Sequence, residues 1–164
     1  MIIGIDPGLS GAVAFLNYDG TLRAVLDLPT LTVKKKTVFA VSTFAGQMQL
    51  SSFERFRAPR VYLEAVHAMP VQNGFSLGRT LGQIHGVLVA LGYDVVLVPP
   101  QTWKFNVGLN AVPGATMKDR KNASRELAMK LFPDHTQLFK RAKDDGRAEA
   151  ALIGWYGFKL QEAK

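Results

Sequence analysis

The sequence predicts an α/β fold: a mixed five-stranded sheet, three antiparallel strands and then parallel ones, with helices on both faces. Three observations predict it. The N-terminal third holds three apolar runs joined by short turns. Two later β-branched runs, RVYLEAV and DVVLV, are separated by a stretch with helical apolar spacing. The C-terminal third is helical in pattern and carries Pro or Gly at its breaks. No repeat, low-complexity tract or linker interrupts the chain, so residues 1–164 read as a single domain.

In order, the runs Ile2 to Ile5, Ala12 to Asn17 and Leu22 to Leu28 are expected to be strands. Tyr18-Asp19-Gly20-Thr21 joins the second to the third as a hairpin turn with Asp-Gly at its centre. Leu31 to Thr37 reads as a basic loop, and Val38 to Phe56 as a helix through Val38, Val41, Phe44, Ala45, Met48 and Phe53. Arg60 to Val66 is a strand around one acid, Glu64. A loop with Pro70 and Asn73-Gly74 follows. Ser76 then caps a helix to about Leu91, stopped by Gly92. Asp94 to Val98 is a strand ended by Pro99-Pro100, and Gln101 to Ala115 is turn-rich. Lys118 to Leu131 is a basic helix ended before Pro133, and Asp145 to about Leu160 is the last helix.

Composition narrows the function classes. The 164 residues are 48% hydrophobic and 20% charged, as in soluble globular proteins. No apolar stretch approaches the roughly 20 residues of a membrane span, and no signal-peptide pattern opens the chain, so a cytoplasmic protein without a membrane partner is expected. The absence of cysteine excludes disulfides, a thiolate nucleophile and a zinc–thiolate site. The net charge of +7 points to a polyanionic partner. Basic residues gather at Lys34-Lys35-Lys36, Arg55 to Arg60, Lys118 to Arg125 and Lys140 to Lys143. Lys34, Lys35, Lys36, Arg79, Lys118, Arg120 and Lys121 are therefore candidates for DNA binding.

Several acids, by contrast, stand in apolar or turn-rich surroundings. Asp6 ends the first strand, directly before Pro7-Gly8. An acid there is costly unless a cation sits on it. Glu64 lies in the fourth strand. Asp145 and Glu149 are four apart and share a helical face, with Asp144 as their neighbour. Singly, each has an ordinary explanation: turn capping for Asp6, an ion pair for Glu64, a negative first turn for Asp144 and Asp145. If they converge, their repulsion calls for a hard divalent cation, Mg²⁺ or Mn²⁺. Two such ions activate water and stabilise the leaving oxygen of an in-line phosphodiester displacement. A sugar kinase or ATPase also opens on a strand, an acid and a glycine turn. The short length and the lack of a second Gly-rich phosphate loop argue against a nucleotide cofactor.

GIDPG, YLEAV, LGQIHG, PPQTWK and the terminal DDGRAEAALIG together resemble the RuvC-type Holliday junction resolvases, most closely their phage-encoded branch. The resemblance spans nearly the whole chain. It implies an RNase H-like fold, a homodimer, two ions per site, a bacterial host's cytoplasm, and paired symmetric nicks in a four-way DNA junction. The family's acidic tetrad maps onto Asp6, Glu64, one of Asp144 or Asp145, and Glu149. The bacterial pattern has two aspartates three apart. Here the residue three before Glu149 is Gly146, so both Asp144 and Asp145 stay open, with Asp145 favoured by helical geometry. Lys104 and Lys118 fall where the family carries lysines near the scissile phosphate. His67 and Met69 fall in the loop that enters the junction, with Phe75 close behind. Gly78, Gly82 and Gly86, four apart, with His85 beside them, map to the dimer contact. The alternatives are an RNase H-like nuclease for another branched or hybrid nucleic acid, and an inactive junction-binding protein.

Overall fold

The computed structural model describes residues 1–51, 59–65, 71–109 and 113–163. A five-stranded sheet runs in the order β3-β2-β1-β6-β7, built from Leu22–Asp27 (β3), Ala12–Leu16 (β2), Ile2–Ile5 (β1), Arg60–Glu64 (β6) and Asp94–Val98 (β7). The first three pair antiparallel, and β6 and β7 continue parallel, as the sequence predicts. Gly20, at φ +84°, makes the turn between β2 and β3.

Alternation along the strands divides the core. Ile2, Ala14, Leu16, Tyr62 and Val98 face one side, under the helices Pro100–Asn106 (α3), Met117–Leu131 (α4) and Asp145–Glu162 (α5). Ile3, Ile5, Val13, Phe15, Val61 and Leu63 face the other, under Val41–Ser51 (α1) and Val71–Ala90 (α2). Among the described residues no helix is long and apolar enough to cross a membrane.

Four elements differ from expectation. The basic loop at Leu31 to Thr37 is a two-stranded ribbon, Thr30–Val33 (β4) against Lys36–Phe39 (β5). Its TLTV and KTVF segments have ordinary strand propensity, which the lysines obscured. Lys34 and Lys35 turn the ribbon at φ 46° and 65°, the conformation that two-residue hairpins normally reserve for Asn-Gly. Val38 and Phe39 belong to β5, so α1 begins only at Val41, and the expected extension past Ser51 lies outside the described residues. Ser76 does not cap α2. That helix starts five residues earlier, at Val71, and carries Gly74 in its body. The cost of one helical glycine, roughly 1 kcal/mol, is small against burial of Thr80, Ile84 and Leu88 on its inner face. The turn-rich stretch after Pro99 begins with the short helix α3, with proline in its first turn. The other boundaries fall close to expectation: Gly92, at φ +80°, ends α2, and a reciprocal Thr116–Asp119 capping box opens α4.

The last helix lies on the middle of the sheet at unusually short range. A Cβ at Gly4 would fall on Ala150 O and Gly154 N, and one at Gly146 on Ser10 O. Gly4→Ala is expected to lower stability by about 3 kcal/mol, read as a shifted denaturant midpoint.

Candidate active site

Asp6 follows β1 immediately. Its main-chain N–H donates to Ala12 O at 3.1 Å, and its Oδ1 accepts from Gly8 N at 3.1 Å, so the Pro7-Gly8 turn holds the carboxylate in place. The parallel register pairs Ile5 with Leu63. Carried one residue further, it sets Asp6 beside Glu64, on the sheet face that α5 covers. Asp145 and Glu149 approach that face from α5, one helical turn apart.

The acids are electrostatically linked. Burial, then repulsion by Glu64 and Glu149, raises Asp6 from 3.8 to about 7, against the Gly8 N–H and Lys104, which lower it. The other three are gripped by neighbours. Trp103, fully buried on α3, donates its indole N–H to Glu64 Oε1 at 2.9 Å. Lys104 Nζ, 5.0 Å from the Trp103 ring centre, reaches Glu149 Oε1 at 3.2 Å. Ser124 on α4 donates to the same oxygen at 3.2 Å. Lys121, one turn earlier on α4, pairs with Asp145 Oδ2 at 2.7 Å, which raises the lysine's pKa against its partial desolvation.

Asp144 and Asp145 diverge. Asp144 is almost wholly buried and faces two arginines. Its carboxylate accepts from Arg141 N at 2.8 Å, Nε at 3.1 Å and Nη2 at 2.9 Å, and Arg147 Nη1 lies 3.9 Å away. Burial raises its pKa, but the Arg141 bonds and both guanidinium charges outweigh burial and hold it below the ordinary value. Arg147 extends the network to Asp27 at the end of β3, at 2.5 and 2.6 Å. Asp145, unlike Asp144, pairs with Lys121, a lysine that also feels the charges of Glu149 and Asp6.

The other sequence candidates scatter. Lys118 is exposed in the first turn of α4 and, among the described residues, pairs with none of the four acids. Lys121, three residues on, is the α4 lysine that pairs with one of them. Arg120 is exposed beside it, and Lys34, Lys35 and Lys36 stand exposed on the ribbon. Arg79, Gly78, Gly82 and Gly86 are exposed along α2, with nothing among the described residues within 4 Å of a Cβ at any of the three glycines, and His85 is half-buried. Phe75 projects into solvent on the same helix. His67 and Met69 lie outside the described residues. Sequence reasoning missed Trp103 and Ser124 as partners of the acids and placed Lys121 only among DNA contacts. The spacing of three between Lys121 and Ser124, on one face of α4, was the available signal.

Among the described residues no group of three or more Asp, Glu or His side chains is arranged to hold a metal ion. The reason is visible in the pairings: Glu149 and Asp145 are each turned onto a lysine, and Glu64 onto an indole. By chemistry the set still fits a hard divalent cation, since every donor is a carboxylate oxygen and Asp6 is both buried and repelled by Glu64 and Glu149.

Two outcomes follow. Because folded Asp6 holds its proton up to about pH 7 while the unfolded chain releases it near 3.8, stability falls as pH rises between those values. Asp6→Asn removes that slope, so in EDTA its urea midpoint is expected to vary less than wild type between pH 4.5 and 8. Asp144→Ala is expected to cost about 2–3 kcal/mol by leaving two arginines without their buried partner, whereas Asp145→Asn stays within about 1 kcal/mol of wild type. Equal losses in the two variants would contradict the division of roles.

Comparison with known proteins places this geometry. No family model matches the sequence. Over 95 residues the chain is 32% identical to the chloroplastic Holliday junction resolvase MOC1 of Chlamydomonas reinhardtii, a match covering 56% of this chain and 10% of that protein. The chain thus spans about a tenth of the length of this curated relative. Thermus thermophilus RuvC in complex with a Holliday junction substrate superposes with a TM-score of 0.62 at 16% identity, over 99% of this chain and 96% of that one. A second structure of Thermus thermophilus RuvC gives 0.56 at 18% identity with the same coverage. The chain has the RuvC fold, an RNase H-like mixed sheet flanked by helices.

Proposed function

We propose that this chain is a metal-dependent endonuclease that resolves four-way DNA junctions. The observation that carries the reading is the coupling of Asp6, at the end of β1, to Glu64 on the neighbouring strand and Glu149 on α5, with Asp145 tied to the same charges through Lys121. The chain around this acidic group is basic, with a net charge of +7, as a phosphate-binding protein requires. The likeness to a RuvC seen on a Holliday junction, and to a protein named as a junction resolvase, supports the choice of substrate.

In this reading Asp6, Glu64, Asp145 and Glu149 hold one or two Mg²⁺ ions, with Mn²⁺ as substitute. When bound, the metal supplies an activated water and neutralises charge on the scissile phosphate. The products are a 5′-phosphate and a 3′-hydroxyl. The chain's own groups set the geometry. The Trp103 N–H orients Glu64, and the Ser124 hydroxyl orients Glu149. Lys104, resting over the Trp103 ring, is placed to stabilise charge that builds on the phosphate oxygens once Glu149 turns to the metal. Lys121 plays the same part for Asp145. Paired nicks need two such sites, and the open face of α2, with Gly78, Gly82 and Gly86 free of neighbours, is where a second copy docks. The exposed lysines of the ribbon contact a duplex arm.

On a labelled four-way junction in Mg²⁺, Asp6→Asn and Glu64→Gln are each expected to lower nicking at least 1,000-fold, with junction binding retained. Wild-type nicking by either variant, or cleavage of RNA–DNA hybrid in preference to the junction, would refute the assignment.

A further inference from the structure

Between α3 and α4 lies an open groove of about 790 Å³, within the ~300–1,000 Å³ range of small-molecule sites. Its lining includes Lys104, Phe105, Leu109, Arg120, Ala123 and Ser124, and no acid stands among the described lining residues. Two of these, Lys104 and Ser124, hold Glu149, so the groove opens directly beside the acidic group. Phe105 is 72% exposed. It sits one residue after Lys104 with its ring on the groove, while Trp103, Val107 and Leu109 from the same segment pack into the core. Apolar side chains of Leu109 and Ala123, a bare aromatic ring, and the two cations of Lys104 and Arg120 make up its chemistry.

That combination suits a flat, uncharged aromatic ligand tethered to an anion. A nucleobase with its phosphate meets the description, and a base inside a continuous duplex does not, because its faces are covered by its neighbours. We propose that the groove between α3 and α4 receives an unstacked nucleobase next to the phosphodiester to be cut, with Phe105 stacking on the base and Arg120 holding the adjoining phosphate. The proposal rests on the nuclease reading for its position beside the cut, but not for the binding itself. Base–aromatic stacking is sequence-tolerant, so the groove selects for a distorted strand, which a branch point offers and an intact duplex does not.

The test joins a binding measurement to a kinetic one. Four-way junctions carrying 5-iodouracil on either side of the crossover are irradiated with the wild-type protein in EDTA, and the crosslinked peptide is sequenced. The expected crosslink maps to Phe105. In Mg²⁺, Phe105→Ala and Phe105→Leu are each expected to nick about tenfold more slowly, while Phe105→Trp keeps wild-type rate, since bulk without a π-face cannot stack. The Phe105→Trp emission should be quenched on adding the junction and much less on adding an intact duplex. Because Phe105 is largely exposed, these variants are expected to fold, which circular dichroism checks. Wild-type nicking together with crosslinks elsewhere and an undiminished rate for Phe105→Ala would overturn the groove proposal and leave the nuclease reading intact. Absence of nicking by the wild-type protein, with crosslinks still at Phe105, would overturn the nuclease reading and leave the groove as a nucleobase site.

Discussion

The approach of α5 to β1 is the constraint on which the remaining structure depends. Gly4 in the strand and Gly154 in the helix leave no side chain between them, and Gly146 does the same against Ser10 and Gly11. The helix axis is thereby brought down onto the middle of the sheet, where the strand ends carry Asp6 and Glu64. Ala148, Ala150 and Ala151 keep the interface thin. Without that thinness the Glu149 carboxylate would stand too far from the strands to influence Asp6. The packing of small residues thus brings acids from separate elements into one electrostatic unit.

Within that unit, neighbouring acids behave in opposite ways because their partners differ. Asp6 is surrounded by like charge and little compensation, and its proton is held to about pH 7. Asp144, more deeply buried, is held ionised by Arg141 and Arg147. Burial raises both; at Asp6 the repulsion of Glu64 and Glu149 adds to it, whereas at Asp144 the arginines outweigh it. The Asp144–Arg147–Asp27 chain ties the start of α5 to the edge of the sheet at β3, and so fixes the helix in rotation as well as in depth. Trp103, Lys104, Lys121 and Ser124 fill the opposite side, which makes α3 and α4 a second wall of the site and not merely cover for the core.

Two features lie away from this centre. The lysine ribbon places two non-glycine residues in left-handed backbone, a conformation that costs roughly 1 kcal/mol or more for each. Asn-Gly would make the same turn with less strain, so the charge at the ribbon's tip is kept at the expense of stability. The outward face of α2 is lined by glycine where alanine would favour the helix, with open space beside each. Both are surfaces whose residues serve something other than the stability of this chain alone.

Much of the architecture was legible in the sequence. Apolar and β-branched runs marked the five strands of the sheet, and the helical stretch between the last two marked a parallel crossover. Gly92, Pro133 and the Asp19-Gly20 turn marked their boundaries, because these residues act within a few positions of the chain. The acids Asp6, Glu64 and Glu149 could be named from their placement in apolar runs and from resemblance. The sequence could not separate Asp144 from Asp145. Adjacent helical residues point about 100° apart, and which of them meets the sheet depends on how the helix is rotated against it. That rotation is decided by glycine contacts and arginine pairs between elements far apart in sequence. The same reason hid the pairing of Lys121 with Asp145, the contacts of Trp103 and Ser124 with the acids, and the groove beneath Phe105. The sequence by itself determined which groups are present and how they are spaced along each element. Only the tertiary structure decided which of them face one another, because distances between elements are set by packing and not by the chain.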